Sequence, residues 1–162
     1  MAHVYLGLGS NLGDRRGNLE AAISALGGVA ELEARSRIFE TDPVHIVEQP
    51  MFLNMAVRVA TNAAPPALLG AIKAIERRIG RVDGVRWGPR LIDIDILLWE
   101  DVVLDAPDLA IPHPRLAERR FVLEPLADIG AGACHPVNGR TIADLLAGLP
   151  ESPMGCVRVI AA

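Results

Sequence analysis

Apolar positions change their spacing several times along the chain, and each spacing predicts an element. Residues 3–8 predict a strand that leaves through Gly7-Leu8-Gly9-Ser10-Asn11-Leu12-Gly13, read as a glycine-rich turn. A helix is expected from about Arg16 to Leu26, closed by Gly27-Gly28. Over 30–40, Glu31, Glu33, Arg35 and Arg37 alternate with Leu32, Ala34, Ser36 and Ile38, which predicts one strand with a wet face. Residues 41–51 hold two prolines and read as a loop, and Phe52 to Thr61 as a strand. Pro65-Pro66 opens a second helix at a position where proline is tolerated, and Leu68, Leu69, Ile72, Ile75 and Ile79 form its apolar stripe. Gly80 to Pro89 is a loop. A strand through Asp93 and Asp95 follows, with a hairpin partner expected near Val102–Leu104. Two or three short helices and a last strand near Cys156–Ile160 complete the chain. The order β-α-β-β-α-β is that of an α+β, ferredoxin-like sandwich with a mainly antiparallel sheet and a C-terminal helical elaboration.

Composition narrows this little. A chain of 162 residues, 51% hydrophobic and 22% charged, suits one globular domain over 1–162 with one core. No apolar run reaches the roughly 18 residues of a membrane span. The N-terminus lacks the basic region and long apolar core of a signal peptide, so the cytoplasm is expected. Cys134 and Cys156 share no metal-ligand spacing and read as unpaired thiols. A net charge of −4 speaks against nucleic acid as partner. Arg77, Arg78, Arg81, Arg86 and Arg90 nevertheless fall in one stretch, which suggests a compact anion site.

The chemistry concentrates there. Asp93 and Asp95 alternate with Ile92, Ile94 and Ile96, so the two carboxylates share a strand face, roughly 6–7 Å apart at about 3.3 Å rise per residue. Leu91 and Leu97 lie on that face too, so the carboxylates interrupt an apolar row. Two like charges there are costly unless a cation compensates. They could hold one divalent ion or two side by side; the plain alternative is a solvated edge strand. Carboxylates, hard metal ions and arginines are the components of phosphoryl transfer. Gly7 to Gly13 is one residue too long for a dinucleotide fingerprint, and no phosphate-loop motif occurs. Glu76 reads by itself as a solvated helix charge paired with Lys73 at i−3. Phe52 and Asn54 share a strand face and could take a planar heterocycle, or be an aromatic at the core edge beside a buried amide satisfied by backbone. Phe121 follows Arg119-Arg120 and could equally be a helix-start core residue. His113 sits in a rigid turn, Ile111-Pro112-His113-Pro114.

Together, Gly9-Ser10-Asn11-Leu12-Gly13, Glu48-Gln49-Pro50 with Phe52-Leu53-Asn54, Gly80-Arg81, Arg86-Trp87-Gly88-Pro89-Arg90 with Asp93 and Asp95, and Pro112-His113 with Arg119 and Phe121 resemble the 6-hydroxymethyl-7,8-dihydropterin pyrophosphokinase family of folate synthesis. The resemblance implies a monomeric enzyme that moves pyrophosphate from ATP to the hydroxymethyl group of a reduced pterin and releases AMP. It implies that Asp93 and Asp95 hold two Mg²⁺ ions and that Arg81 and Arg90 meet the phosphates. Lys73, Glu76, Arg86, Trp87, Ile96, His113 and Arg119 would lie around ATP. Asn54, with backbone groups near Thr41 and Val44, would read the pterin edge, and Phe52 and Phe121 would sandwich its ring. A closing loop over about 81–89 would exclude water. Lys73, Asp108, Ala110 and Pro114 depart from the family's pattern near the nucleotide. A ligand-binding sensor without catalysis and a sugar transferase using the two aspartates are the competing readings; the first has no use for the carboxylates, and the chain is short for the second.

Overall fold

The computed structural model describes residues 1–43, 48–80, 90–150 and 157–161. In chain order the elements are β1 (Ala2–Ser10), α1 (Arg15–Leu26), β2 (Glu31–Arg35), β3 (Ile38–Thr41), β4 (Phe52–Thr61), α2 (Pro65–Ile79), β5 (Asp93–Trp99), β6 (Leu104–Ala106), β7 (Leu109–Ile111), α3 (Arg120–Gly130), α4 (Ile142–Ala147) and β8 (Val157–Ala161). A short 3-10 turn, Leu116–Glu118, precedes α3.

The main sheet runs β5-β1-β4-β3-β8, with β2 also beside β4, and every pairing is antiparallel. Counting β2 and β3 as one interrupted strand gives the ferredoxin-like order 4-1-3-2, as the sequence predicts. One face of the sheet packs its Val, Leu and Ile residues on Leu19, Ala22 and Leu26 of α1 and on Leu68, Ile72 and Ile75 of α2. The other face packs Ala56, Leu97 and Leu98 on Leu123 and Leu126 of α3 and on Ile142 and Leu145 of α4. Each of these valine, leucine and isoleucine side chains gains about 1.5–3 kcal/mol on full burial, so both layers are held firmly.

The helix ends follow their sequence signals. Asp14 caps α1 by accepting the Gly17 N–H at 3.0 Å. Gly80 ends α2 at φ 107°, a left-handed conformation suited to glycine, and its N–H reaches the Glu76 and Arg77 carbonyls.

Three expectations change. First, β1 does not turn at Gly7; it runs on to Ser10, paired on both sides as far as Gly9. Second, 30–40 is two strands. The register slips between Leu32 and Ala34, which leaves Leu32 41% exposed. The ladder then breaks at Ser36, whose Oγ accepts the Ala56 N–H at 2.8 Å and so keeps that buried donor satisfied. Third, β5 has no hairpin partner near Val102–Leu104. β6 pairs with β7 in a separate two-stranded ribbon instead. β5 also carries a bulge opposite Tyr5 and Leu6, so Leu97 and Leu98 both reach the α3 face.

Candidate active site

The site follows from the strand register. Gly9 on central β1 pairs with Asp93 on one side and with Asn54 on the other; Gly7 pairs with Asp95 and with Ala56. Strands lie about 4.8 Å apart, so the Asp93 and Asn54 backbones stand roughly 10 Å apart across a floor without side chains. The glycines make a trough, with carboxylates on one bank and Phe52 and Asn54 on the other. A Cβ on Gly9 would sit 2.7 Å from Asn54 Oδ1, and one on Gly7 would sit 3.3 Å from Leu97 Cδ1.

The turn over 113–119 and the first turn of α3 wall this trough into a cavity of about 360 Å³. Asp93, Asp95, Asn54, Phe52, Thr41, Phe121, His113, Arg119, Arg90 and Lys73 all line it. Arg119 lies over the Phe121 ring at 5.4 Å. Phe121 stands at the start of α3 and faces the cavity. Asp42, Gln49 and Arg115 line it as well, and the sequence reading gave them no role. The signal for Arg115 was available, since it lies two residues beyond His113 in the same proline-braced turn.

The turn is anchored at His113. The His113 N–H donates to the Leu97 carbonyl at 2.9 Å. The Arg115 N–H donates to His113 Nδ1 at 3.2 Å, which leaves Nε2 as the N–H donor of a neutral ring. Burial, followed by Arg119 and Arg115, holds the His113 pKa below its usual value, with Asp93 opposing. Burial and Arg115 likewise lower that of Arg119, while Asp95, Glu118 and Asp93 raise it.

Asn11, 1% exposed, joins the two chain segments that flank the cavity. Its Nδ2 donates to Gln49 Oε1 at 3.0 Å and to the Pro50 carbonyl at 2.9 Å. Its Oδ1 accepts the Arg90 N–H at 2.7 Å. This amide gives the Gly9-to-Gly13 segment its purpose at the end of β1.

Two residues expected around ATP, Ile96 and Glu76, are not among those lining the cavity. Ile96 packs in the core beneath α1 and α2, because strand alternation turns it away from Asp93 and Asp95. Glu76 is not a solvated charge: it is 1% exposed, receives the Ile94 N–H at 3.0 Å, and pairs with Lys73 at 3.1 Å. It thus holds β5 between the two aspartates. Arg77 and Arg78 are exposed and do not line the cavity; of the sequence cluster Arg90 does, and Lys73, Arg115 and Arg119 join it there among the described residues. Val44, Arg81, Arg86, Trp87 and the expected closing loop lie outside the described residues, as does Cys156; Cys134 is exposed and unpaired.

Among the described residues no group of three or more His, Cys, Asp or Glu forms a metal cage. Two carboxylates on one cavity wall suit Mg²⁺, which keeps waters and takes phosphate oxygens alongside one or two protein ligands. No helix is long and apolar enough to cross a membrane among the described residues.

Comparison with known proteins agrees with this geometry. Residues 5–131 match the family model for 7,8-dihydro-6-hydroxymethylpterin-pyrophosphokinase. The 2-amino-4-hydroxy-6-hydroxymethyldihydropteridine pyrophosphokinase of Pseudomonas aeruginosa is 44% identical over 149 residues, covering 91% of each chain. The enzyme of that name from Aquifex aeolicus is 38% identical over 157 residues, covering 97% of this chain and 98% of its own. A mitochondrial folate synthesis bifunctional protein of Arabidopsis thaliana is 46% identical over 128 residues; the match takes 78% of this chain but 23% of that one. The crystal structure of wild-type Plasmodium falciparum HPPK-DHPS superposes with a TM-score of 0.70 over 91% of this chain and 43% of that one, at 20% identity, which speaks for the fold. With the family model spanning most of the chain and full-length relatives of high identity, this chain belongs to the 7,8-dihydro-6-hydroxymethylpterin-pyrophosphokinase family.

Proposed function

We propose that this chain carries out the reaction of its family as one domain over 1–162: it transfers pyrophosphate from ATP to the hydroxymethyl group of 6-hydroxymethyl-7,8-dihydropterin and releases AMP. The observation that carries this reading is the convergence of Asp93 and Asp95 with four cationic side chains and with Asn54, Phe52 and Phe121 in one cavity. Such a cavity serves a polyphosphate on one bank and a flat, hydrogen-bonding ring on the other.

Attack at the β-phosphorus needs alignment and charge neutralisation more than covalent help. Asp93 and Asp95 would hold two Mg²⁺ ions, whose chemistry there would be neutralisation of phosphate charge. Arg81 and Arg90 meet the phosphates as charge shifts, and Arg86, Trp87 and Arg119 take the family's places around ATP. His113 offers its Nε2–H to a phosphate oxygen, and Lys73 is a further cation at the cavity. Phe52 and Phe121 stack on the pterin ring, while Asn54, with backbone groups near Thr41 and Val44, reads its edge. By likeness to its family we place it in the cytoplasm as a monomer.

The test is incubation with ATP, Mg²⁺ and the pterin, followed by separation of the nucleotides. AMP is expected only when the pterin is present; ADP as product would mean attack at the γ-phosphorus and would overturn the reading. Asp95→Ala should lose nearly all turnover, and near-wild-type rates would remove the metal assignment.

A further inference from the structure

We infer that Gly9 and Thr41 are positioning residues that together fix the Asn54 amide and thereby set affinity for the pterin; this rests on the reading that Asn54 faces that ring. The three residues come from three adjacent strands. Asn54 is in the middle of the row, on β4. Thr41 on β3 lies diagonal to it, because Thr41 pairs with Phe52 and Phe39 pairs with Asn54. The Asn54 Nδ2 donates to Thr41 Oγ1 at 2.6 Å. Thr41 is 1% exposed, so a hydrogen bond lost there is not replaced cheaply by solvent.

On the other side, Gly9 on β1 is directly opposite Asn54, and Oδ1 occupies the space where a Cβ would be, 2.7 Å from that ideal position. No other residue permits this approach, since real Cβ contacts are not so short. One flank thus binds an amide hydrogen and the other leaves a slot for the oxygen. An asparagine offers two donors and one acceptor oxygen. With one donor given to Thr41, the second N–H and Oδ1 remain as a donor–acceptor pair held in a fixed plane beside the cavity. Holding a recognition group in place before binding adds affinity by removing an ordering cost. A role confined to fastening β3 to β4 would instead change stability and leave ligand preference alone.

The experiment compares Thr41→Val, Thr41→Ser, Gly9→Ala and Asn54→Leu in the full chain. Pterin binding is followed by its fluorescence, binding of a non-transferring ATP analogue with Mg²⁺ by calorimetry, and rates by AMP formation. Thr41→Val keeps the shape and removes the hydroxyl. It should weaken pterin binding about tenfold and raise its KM alike, with ATP-analogue affinity unchanged and kcat at saturating pterin within about threefold. Thr41→Ser should restore most of the loss. Gly9→Ala should give the same split from the opposite side, and it carries the test if Thr41→Val does not fold. Wild-type pterin affinity in the folded variants, equal losses for both ligands, or no recovery in Thr41→Ser would overturn the inference. Asn54→Leu separates the two levels. If it keeps pterin affinity, the placement of Asn54 on the pterin falls and this inference with it. If it loses affinity while Thr41→Val and Gly9→Ala do not, only the positioning role falls.

Discussion

Glu76 illustrates how little a residue's chemistry says about its placement. Spaced as it is on an amphipathic helix, it reads as a solvated charge, yet it is buried against the backbone N–H between Asp93 and Asp95. A carboxylate receiving an edge-strand N–H and a lysine is a satisfied buried charge, and it fixes the strand that carries the two acids. Arg90 presents the opposite case. It was singled out by sequence, and its backbone is held to Asn11 through two hydrogen bonds, at 2.7 and 3.0 Å. That tether places the guanidinium stem without using the guanidinium. Arg90→Ala should therefore lower kcat by about 10²–10³, as removal of one transition-state donor does, with a smaller change in ATP affinity. Single-turnover rates beside equilibrium ATP-analogue binding would check this, and a pure affinity loss would contradict it.

At the scale of elements, the features that shape the site are interruptions of regular structure. β1 carries glycine at alternate positions, which would weaken a strand elsewhere but here, between two partners, clears the trough. The bulge in β5 supplies two consecutive leucines to the α3 layer. Helix α3 is fastened at its far end by Asp128, which accepts hydrogen bonds from the Arg37 N–H at 3.0 Å, from Nε at 2.9 Å and from Nη2 at 2.8 Å. Arg37 first of all holds the Asp128 carboxyl below its ordinary value of 3.8, against the opposing effect of burial. A lowered folded-state pKa means the unfolded chain binds the proton more readily as pH falls. The stabilisation is thus complete above about pH 4 and is lost as pH drops through the folded value. Asp128→Asn should accordingly be less stable than the wild type at pH 6–7, with the gap closing in acid. Urea midpoints at pH 6 and below pH 3 measure it; a constant gap would refute the linkage.

For the whole molecule, the sheet is the shared wall of two apolar layers, and the cavity opens where the second layer stops short of covering it. Ligand binding therefore acts on an already folded scaffold. A non-transferring ATP analogue with Mg²⁺ at about a hundred times its Kd should stabilise by about 2.7 kcal/mol, which is roughly 5–10 °C in Tm for a chain of this size. EDTA should abolish the shift. A shift of equal size in EDTA would show that nucleotide binds without the Asp93 and Asp95 metal.

Read by itself, the sequence determined the order of elements, the bounds of β4 and α2 to the residue, the shared face of Asp93 and Asp95, and the family. These depend on local period and on short motifs, which need no knowledge of what lies opposite. It did not determine that β1 passes through Gly9, since a glycine in a strand and a glycine in a turn look alike until the partner strands are known. Nor did it determine that Asn54, Gly9 and Asp93 form one row, that Arg115 enters the cavity, or that Glu76 and Ile96 turn into the interior. Those facts belong to tertiary structure because cross-strand register and helix docking join residues tens of positions apart, and the energy of burying or pairing a side chain depends on that neighbour rather than on the sequence next to it.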